Sequence, residues 1–438
     1  MYSNSDYKRL GDRIRQNNDN VSEDDYEMLQ YLRTSYKYPL SIVFNSIRDL
    51  AYKVDPNSIC TYRIKRIESI ISKLVRFPEM QVNRAEDIAG CRCILSSEKD
   101  VYKLYERILR KQDKLPFEIK GKINDYIANT PPSGYKSIHI NVVLKGENQR
   151  MEIQLRSIEH HNWATLVETT DLLYGLKLKE RGAYSNNELF RLHSLLSKSS
   201  SQLSSSEIED IANTIIKYDY IKKIGDVFVQ NYIDVRRHWN SLKLQTKHFF
   251  LISTGSDGIP EIKGFDNFDD AESQYFKMFI NNKSNKNIVL THLQKTNFTK
   301  ISIAYSNYFL TYNNTLIKIL QYLSLAVQKS FKLNKILRFC KYYQAFLDIM
   351  SFWLDKQIIE MRTLGNDENI IKSKTKYKDW ENNIVNGILS FAHTYREMQK
   401  CFKFNVLNIV VYMIMKVKHK KFMSTLKEIL KNNIKNKK

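Results

Sequence analysis

The sequence predicts an α+β chain, and three observations lead there. Residues 137–144 and 150–155 are strand-like runs joined by Lys145-Gly146-Glu147-Asn148, a hairpin-type turn. The segments on either side carry apolar residues at helical spacing. Glycine (13) and proline (7) are scarce in 438 residues, which disfavours a sandwich built on tight turns and favours helices.

In chain order, residues 6–53 read as helices. Ser22 starts one of them, with Asp25 as the acid three positions on, and Met28, Leu29, Leu32, Tyr36, Leu40 and Val43 follow at helical spacing. Residues 57–61 read as a loop. In residues 62–74, Arg63, Lys65, Ser69 and Lys73 recur among Ile64, Ile67, Ile70, Ile71 and Leu74, which suits a helix with a buried face. Ser69 and Lys73, four apart, share one helical face. Such a basic group is either a solvated surface or a seat for a triphosphate. Residues 88–95 are strand-like, with Asp87 just ahead and Arg92 within. A carboxylate at a strand start is a common way to hold a divalent ion against phosphates. Residues 100–112 form a short helix.

The hairpin alternates Met151, Ile153 and Leu155 with Glu152, Gln154 and Arg156, so one face is apolar and the other carries an acid, an amide and a guanidinium. Ahead of it lies Pro131-Pro132-Ser133-Gly134-Tyr135, a turn-rich loop with an aromatic. This is either a ligand site on a rigid scaffold or a solvent-facing edge hairpin. A helix over 157–174 contains His160, His161 and Trp163. Adjacent helical histidines point about 100° apart, which disfavours a shared metal ion, and Trp163 reads as packing. After a serine-rich break at 197–206 a helix is predicted to residue 244. Strands then follow at 248–254, 260–265 and 287–293, with helices at 269–280 and 298–310. Residues 311–438 read as basic helices ending in KNNIKNKK.

The net charge is +22, and residues 311–438 hold 24 Lys+Arg against 9 Asp+Glu. Such a segment attracts polyanions: nucleic acid first, an anionic membrane second, unless it is simply a lysine-rich helical surface. Five cysteines, scattered and with no CxxC pair, fit a reduced, cytoplasmic chain and not a disulfide frame or a zinc site. The N-terminus lacks the apolar core of a signal peptide. The longest apolar run, 404–417, is interrupted by Asn405, Asn408 and Lys416 and is too short to cross a bilayer.

Five segments in order resemble the RelA/SpoT alarmone synthetase domain: YRIKRIESIISK (62–73), EDIAGCRC (86–93), NDYIANTPPSGYKSIH (124–139), MEIQLRS (151–157) and HNWATLVE (161–168). The resemblance covers residues 5–195. It implies a nucleotidyltransferase-like fold, a mixed β-sheet flanked by helices. It also implies an enzyme that transfers pyrophosphate from ATP to a ribose 3′-hydroxyl, usually of GDP or GTP, to make (p)ppGpp. By motif position, Asp87 and Glu152 would hold Mg²⁺, and Glu152 would help deprotonate the attacking hydroxyl. Arg63 and Arg92 would clamp ATP, with Lys65, Ser69 and Lys73 on its phosphates. Gly134 and Tyr135 would form the acceptor loop, Tyr135 stacking on the acceptor base, supported by His139, Gln154 and Arg156. Positioning and charge neutralisation carry most of such chemistry.

The chain departs from the family pattern where Asn124 and Pro131 stand in place of lysines. Both changes remove positive charge near the acceptor, which opens a second acceptor: the 3′-terminal adenosine of tRNA. The resemblance extends to single-function toxic small synthetases, in which an Ala-Tyr-x-Asn-Tyr-Phe motif (304–309 here) recurs, and blocking tRNA inhibits translation. An antitoxin or other regulatory partner would go with that version. No hydrolase motif precedes the synthetase segments. The expected organisation is a synthetase domain over 1–195, a helix with a small α/β domain over 207–310 and a basic helical region over 311–438. The competing reading is a non-catalytic RNA-binding or toxin–antitoxin interaction protein that keeps the fold, with no ATP turnover.

Overall fold

Cys60, Tyr62 and Ile64 join the hydrophobic core while Thr61 and Arg63 between them lie on the other face, and this period of two makes Ile59–Ile64 a strand, β1, in the computed structural model of the chain. The structure describes residues 2–16, 21–176, 178, 187–224, 239, 244–254, 260–281, 288–294, 296, 298–304, 312–333, 335, 337–346 and 348–349. Most of the basic segment, with Cys401, the run 404–417 and KNNIKNKK, lies outside the described residues, as does most of the 304–309 motif. The described chain divides into two units, residues 1–169 with 241–311, and residues 170–240 with 312–438.

The first unit is built on one mixed sheet. Besides β1 it contains β2 (Ala89–Leu95), β3 (Phe117–Ile119), β4 (Asn124–Asp125), β5 (Ile138–Leu144) and β6 (Arg150–Ser157). The later strands are β7 (Phe249–Thr254), β8 (Pro260–Phe265) and β9 (Ile288–Leu293). The order across the sheet is β3-β5-β6-β2-β1-β9-β7-β8, with β4 paired to β5. β2 and β6 run parallel and the other pairs run antiparallel. The predicted hairpin is present, with Ile140 opposite Ile153 and Asn141 opposite Glu152.

Six helices belong to this sheet's core: α1 (Asn4–Gln16), α2 (Glu23–Ser35), α3 (Lys37–Val54), α4 (Ile67–Arg76), α5 (Glu98–Arg110) and, later in the chain, Phe268–Asn281. Ser22 and Ser97 accept backbone N–H groups at the starts of α2 and α5, as N-caps do. Residues 62–74 are thus not one helix, and residues 57–61 are not wholly loop. Arg63 ends a strand, Lys65 lies just beyond it, and the helix begins at Ile67. The period of two over 60–64 wins because it buries Cys60, Tyr62 and Ile64 in the sheet, whereas a helix would scatter them. Apolar side chains of β1, β2, β5 and β6 face the helical core.

α6 (Ile158–Tyr174) belongs to the first unit up to Thr169, and the second unit contains its last residues, α7 (Glu188–Leu196), α8 (Ser205–Lys217) and a helix over Tyr312–Lys332. Ser204 and Glu207 form a capping box at the start of α8. The single helix predicted to residue 244 is interrupted at Asp219, which has φ 47°, a left-handed conformation that ends a helical run. Buried Thr170, His193 and Tyr220 share hydrogen bonds, with Thr170 Oγ1 2.7 Å from the Tyr220 hydroxyl. No described helix is long and apolar enough to cross a membrane.

Candidate active site

The register of four strands assembles the site. Arg63 on β1 pairs with Gly90 on β2, Gly90 with Glu152 on β6, and Glu152 with Asn141 on β5. One step along, Thr61, Arg92, Gln154 and His139 follow the same line. Side chains in register share a face, so a polar row runs across the middle of the sheet opposite the helical core. A pocket opens on it, lined by Thr61, Arg63, Lys65, Asp87, Ala89, Gly90, Cys91, Arg92, Glu152 and Gln154.

At the β1 end, the Lys65 and Lys73 ammoniums both meet Asp87 Oδ2, at 2.6 Å and 2.8 Å. Burial works against the Asp87 charge, but the two lysines outweigh it and hold its pKa below the usual carboxylate range. Burial lowers the Lys65 pKa against the pull of Asp87. The other Asp87 oxygen, Oδ1, is buried without a hydrogen-bond partner. Ser69 lies in the first turn of α4, whose N-cap Arg66 makes no side-chain capping bond. Ser69, Lys73, Gly134, Tyr135, His139 and Arg156 are not among the residues that line the pocket.

In the centre, Glu152 is held on both oxygens. His139 Nδ1 lies 2.7 Å from Oε1, and Gln154 Nε2 donates to Oε2. Burial would raise the Glu152 pKa, yet the His139 and Gln154 bonds keep it below the ordinary value, so the group is ionised at neutral pH. The Gln154 carbonyl accepts from Arg92 Nε at 3.2 Å and from Arg156 Nη2 at 3.1 Å, which fixes the orientation of its amide. Burial, with Arg156 and Arg63 nearby, lowers the Arg92 pKa to about 9.

At the β5 end the groups become aromatic. Tyr135 Oη is 2.7 Å from His139 Nε2 and also accepts from Arg156. For a neutral imidazole donating from Nδ1 to Glu152, the direction is consistent: Arg156 donates to Tyr135, Tyr135 to His139, and His139 to Glu152. The Arg156 guanidinium carbon lies 5.0 Å from the Tyr135 ring centre, and Tyr126 and Trp163 present edges to that ring at 5.7 Å and 6.5 Å. Local chemistry shapes the loop. Asp125 accepts the N–H groups of Ile127 and Ala128, and Gly134 takes φ 87° while its N–H closes a turn on Pro131. Asn124 sits opposite His139. The adjacent histidines diverge: His160 Nε2 lies 3.3 Å from Glu98, and His161 Nε2 bonds the Ile303 carbonyl.

Sequence reasoning missed three participants. Gly90 is the floor of the pocket: a Cβ there would stand 2.2 Å from the Glu152 carbonyl oxygen, so only glycine lets β2 and β6 pair. A glycine inside a strand pattern was the available signal. Glu86 holds Asn141 Nδ2 at 2.6 Å and Arg150 Nη1 at 2.5 Å beside Asp87. Thr61 was assigned to a loop.

Residues 62–177 match the family model described as "Region found in RelA / SpoT proteins", which supports an alarmone synthetase-type domain in this part of the chain. The chain is 34% identical over 116 residues to the GTP pyrophosphokinase YwaC of Bacillus subtilis, covering 24% of this chain and 53% of that protein. It is 29% identical over 153 residues to the GTP pyrophosphokinase YjbM of the same organism, covering 32% of this chain and 71% of that one. The chain therefore spans about half of the first relative's length. Among solved structures, small alarmone synthetase 1 from Bacillus subtilis, bound to its product pppGpp, matches at 22% identity and TM-score 0.34, over 44% of this chain and 99% of that one.

Proposed function

We propose that the chain is an ATP-dependent pyrophosphokinase that moves the β,γ-pyrophosphate of ATP onto a ribose 3′-hydroxyl. The observation that carries this reading is one pocket that gathers two carboxylates, Asp87 and Glu152, with Arg63, Lys65 and Arg92. The names of the two Bacillus subtilis relatives support the same reaction class.

In this reading Arg63, Lys65, Lys73 and Arg92 bind and orient the triphosphate, with Ser69 adding a hydroxyl from the first turn of α4. Tyr135 carries the acceptor base, while His139, Gln154 and Arg156 hold Tyr135 and Glu152 in place. Glu152, ionised and oriented, takes the proton of the attacking hydroxyl. The bond from O3′ to the β-phosphorus forms as the bond to the α-phosphate oxygen breaks, and AMP leaves. The residues fit a divalent ion: Asp87 Oδ1 is buried and unpartnered, Glu152 shares its pocket, and Mg²⁺ needs only one or two carboxylates beside phosphates and water. Asp87 and Glu152 would hold it, and the bound ion would neutralise phosphate charge.

Two acceptors suit this chemistry: a guanosine nucleotide, giving (p)ppGpp, and the 3′-terminal adenosine of tRNA, giving a translation-inhibiting toxin with a neutralising partner. Two features favour tRNA. Asn124, opposite His139, and Pro131 take positions where lysines would meet a free nucleotide's 5′-phosphates. Residues 311–438 carry 24 Lys+Arg against 9 Asp+Glu, a match for a polyanion. The test is incubation with ATP labelled in its γ-phosphate, Mg²⁺ and GDP, GTP or tRNA, followed by mass analysis. Label on none of the three overturns the reaction class. Label on GDP or GTP but never on tRNA removes the tRNA version.

A further inference from the structure

The helix Phe268–Asn281, α9, has an apolar and aromatic face that touches the backbone of the site. Glu272, Tyr275, Phe276 and Phe279 follow the i, i+3, i+4, i+7 spacing of one helical face. Glu272 accepts the Tyr62 hydroxyl at 2.8 Å, and Tyr275 Oη accepts the Ile64 N–H at 3.0 Å. Strand pairing explains the second bond. β9 pairs with β1 from Ile59 to Tyr62 and no further. The Lys65 N–H turns toward β2, donating to the Ile88 carbonyl at 2.7 Å, so the alternation of a strand turns the Ile64 N–H toward the β9 side. Tyr275 occupies the place that a longer β9 would fill.

The carbonyl of Lys65 is held as well, by Arg33 Nε at 2.9 Å. Arg33 is buried and lies 4.1 Å over the Phe279 ring. Gln30 accepts from Arg33 and donates to the Phe279 carbonyl at 3.1 Å, tying the arginine to the end of α9. A buried guanidinium is costly unless its hydrogen bonds are met. Here its charge is directed at a main-chain carbonyl and an aromatic face. Arg63 and Lys65, on either side of Ile64, both line the pocket.

We propose that α9 is a positioning element of the active site: Tyr275 and Arg33 set the backbone at Ile64–Lys65 and so aim Arg63 and Lys65 at the polyphosphate of ATP. The ligand in this proposal rests on the pyrophosphokinase reading. The segment that follows the synthetase motifs in sequence is then part of the ATP site itself.

The test uses the full chain with Tyr275→Phe, Arg33→Met and, as a matched control, Tyr52→Phe. Tyr52, on α3, meets the His292 carbonyl at 3.1 Å and His292 Nδ1, a helix-to-strand bond where β9 pairs with Cys60 of β1. Binding of a non-hydrolysable ATP analogue with Mg²⁺ is read by calorimetry, together with kcat, KM and amide exchange at Ile64 and Lys65. Tyr275→Phe and Arg33→Met should each weaken the analogue about five- to tenfold and raise KM for ATP in step, with kcat little changed. Tyr52→Phe should leave binding as it is. Wild-type affinity in Tyr275→Phe, or an equal loss in Tyr52→Phe, overturns the proposal. If the unaltered chain binds no analogue, the pyrophosphokinase reading fails, and exchange decides the positioning. Faster exchange at Ile64 in Tyr275→Phe alone sustains it, and unchanged protection overturns it.

Discussion

The two ends of the polar row across the sheet are built from different chemistry. At the β1 end two lysines converge on one oxygen of Asp87, and Arg63 stands beside them. At the β5 end Tyr126, His139 and Trp163 cluster around the Tyr135 ring, with the Arg156 guanidinium over it. The first end has more positive than negative charge, and Asp87 holds its lysines in place when no phosphate is there. The second end is a relay of mostly neutral groups leading to Glu152. In the proposed function the difference would let one sheet face treat two substrates, charge holding a polyphosphate and ring faces and edges holding a base. Glu152 sits between them, where a proton would have to move.

The largest effect is expected at that midpoint. Glu152→Gln should lower pyrophosphate transfer by about 10²- to 10⁴-fold, because the amide cannot take a proton. Label-transfer rates check this, and an unchanged rate would remove Glu152 from the reaction.

Asp87→Asn should cost stability as well as activity. Lys65 and Lys73 lose their shared partner, and about 2 kcal/mol of unfolding free energy should go with it. The pH dependence has a definite sign. A carboxylate whose pKa is depressed by folding stabilises the fold above the ordinary carboxylate range, and that contribution is lost as pH falls through its lowered folded pKa. Denaturant titrations of both proteins should therefore converge as the pH drops below the carboxylate range. A gap that stays constant would mean that the ion pairs do not stabilise the fold.

Gly90→Ala tests the joint between the two ends. With a Cβ 2.2 Å from the Glu152 carbonyl, β2 and β6 must separate. A loss of about 1–3 kcal/mol is expected, with weaker nucleotide binding. Thermal unfolding at wild-type temperature would show that the strands yield freely.

The smallest effect should be Tyr135→Phe. The ring stays and the hydroxyl between His139 and Arg156 goes, so KM for the acceptor should rise severalfold and KM for ATP should not move. Equal changes in both constants would blur the division between the ends.

Much of this was legible in the chain. The hairpin, its polar face, the strand over 88–95 and the strand and helix pattern over 248–304 follow from periodicity, because burial of one face imposes a period of two or 3.6 wherever it occurs. Asp87, Arg92, Glu152, Gln154, Tyr135 and His139 are named through the resemblance of their segments to a known family. Arg63 and Lys65 were nameable too, but on the wrong element. Their strand is short and runs almost directly into a helix, and over so few residues a period of two is masked by the isoleucines that follow.

What the sequence determined by itself, then, is local: which runs can bury one face, and which charged side chains stand out from those runs. Only tertiary structure decided that β9, β7 and β8 extend the same sheet beyond β1, and that α9 reaches back to Ile64 and, through Arg33, to Lys65. It also decided that Gly90 must be bare because a neighbouring strand's carbonyl lies against it. The physical reason is common to all three. Each depends on a hydrogen bond or a close approach between residues far apart in the chain, and no period within a segment records which distant strand or helix will supply the partner.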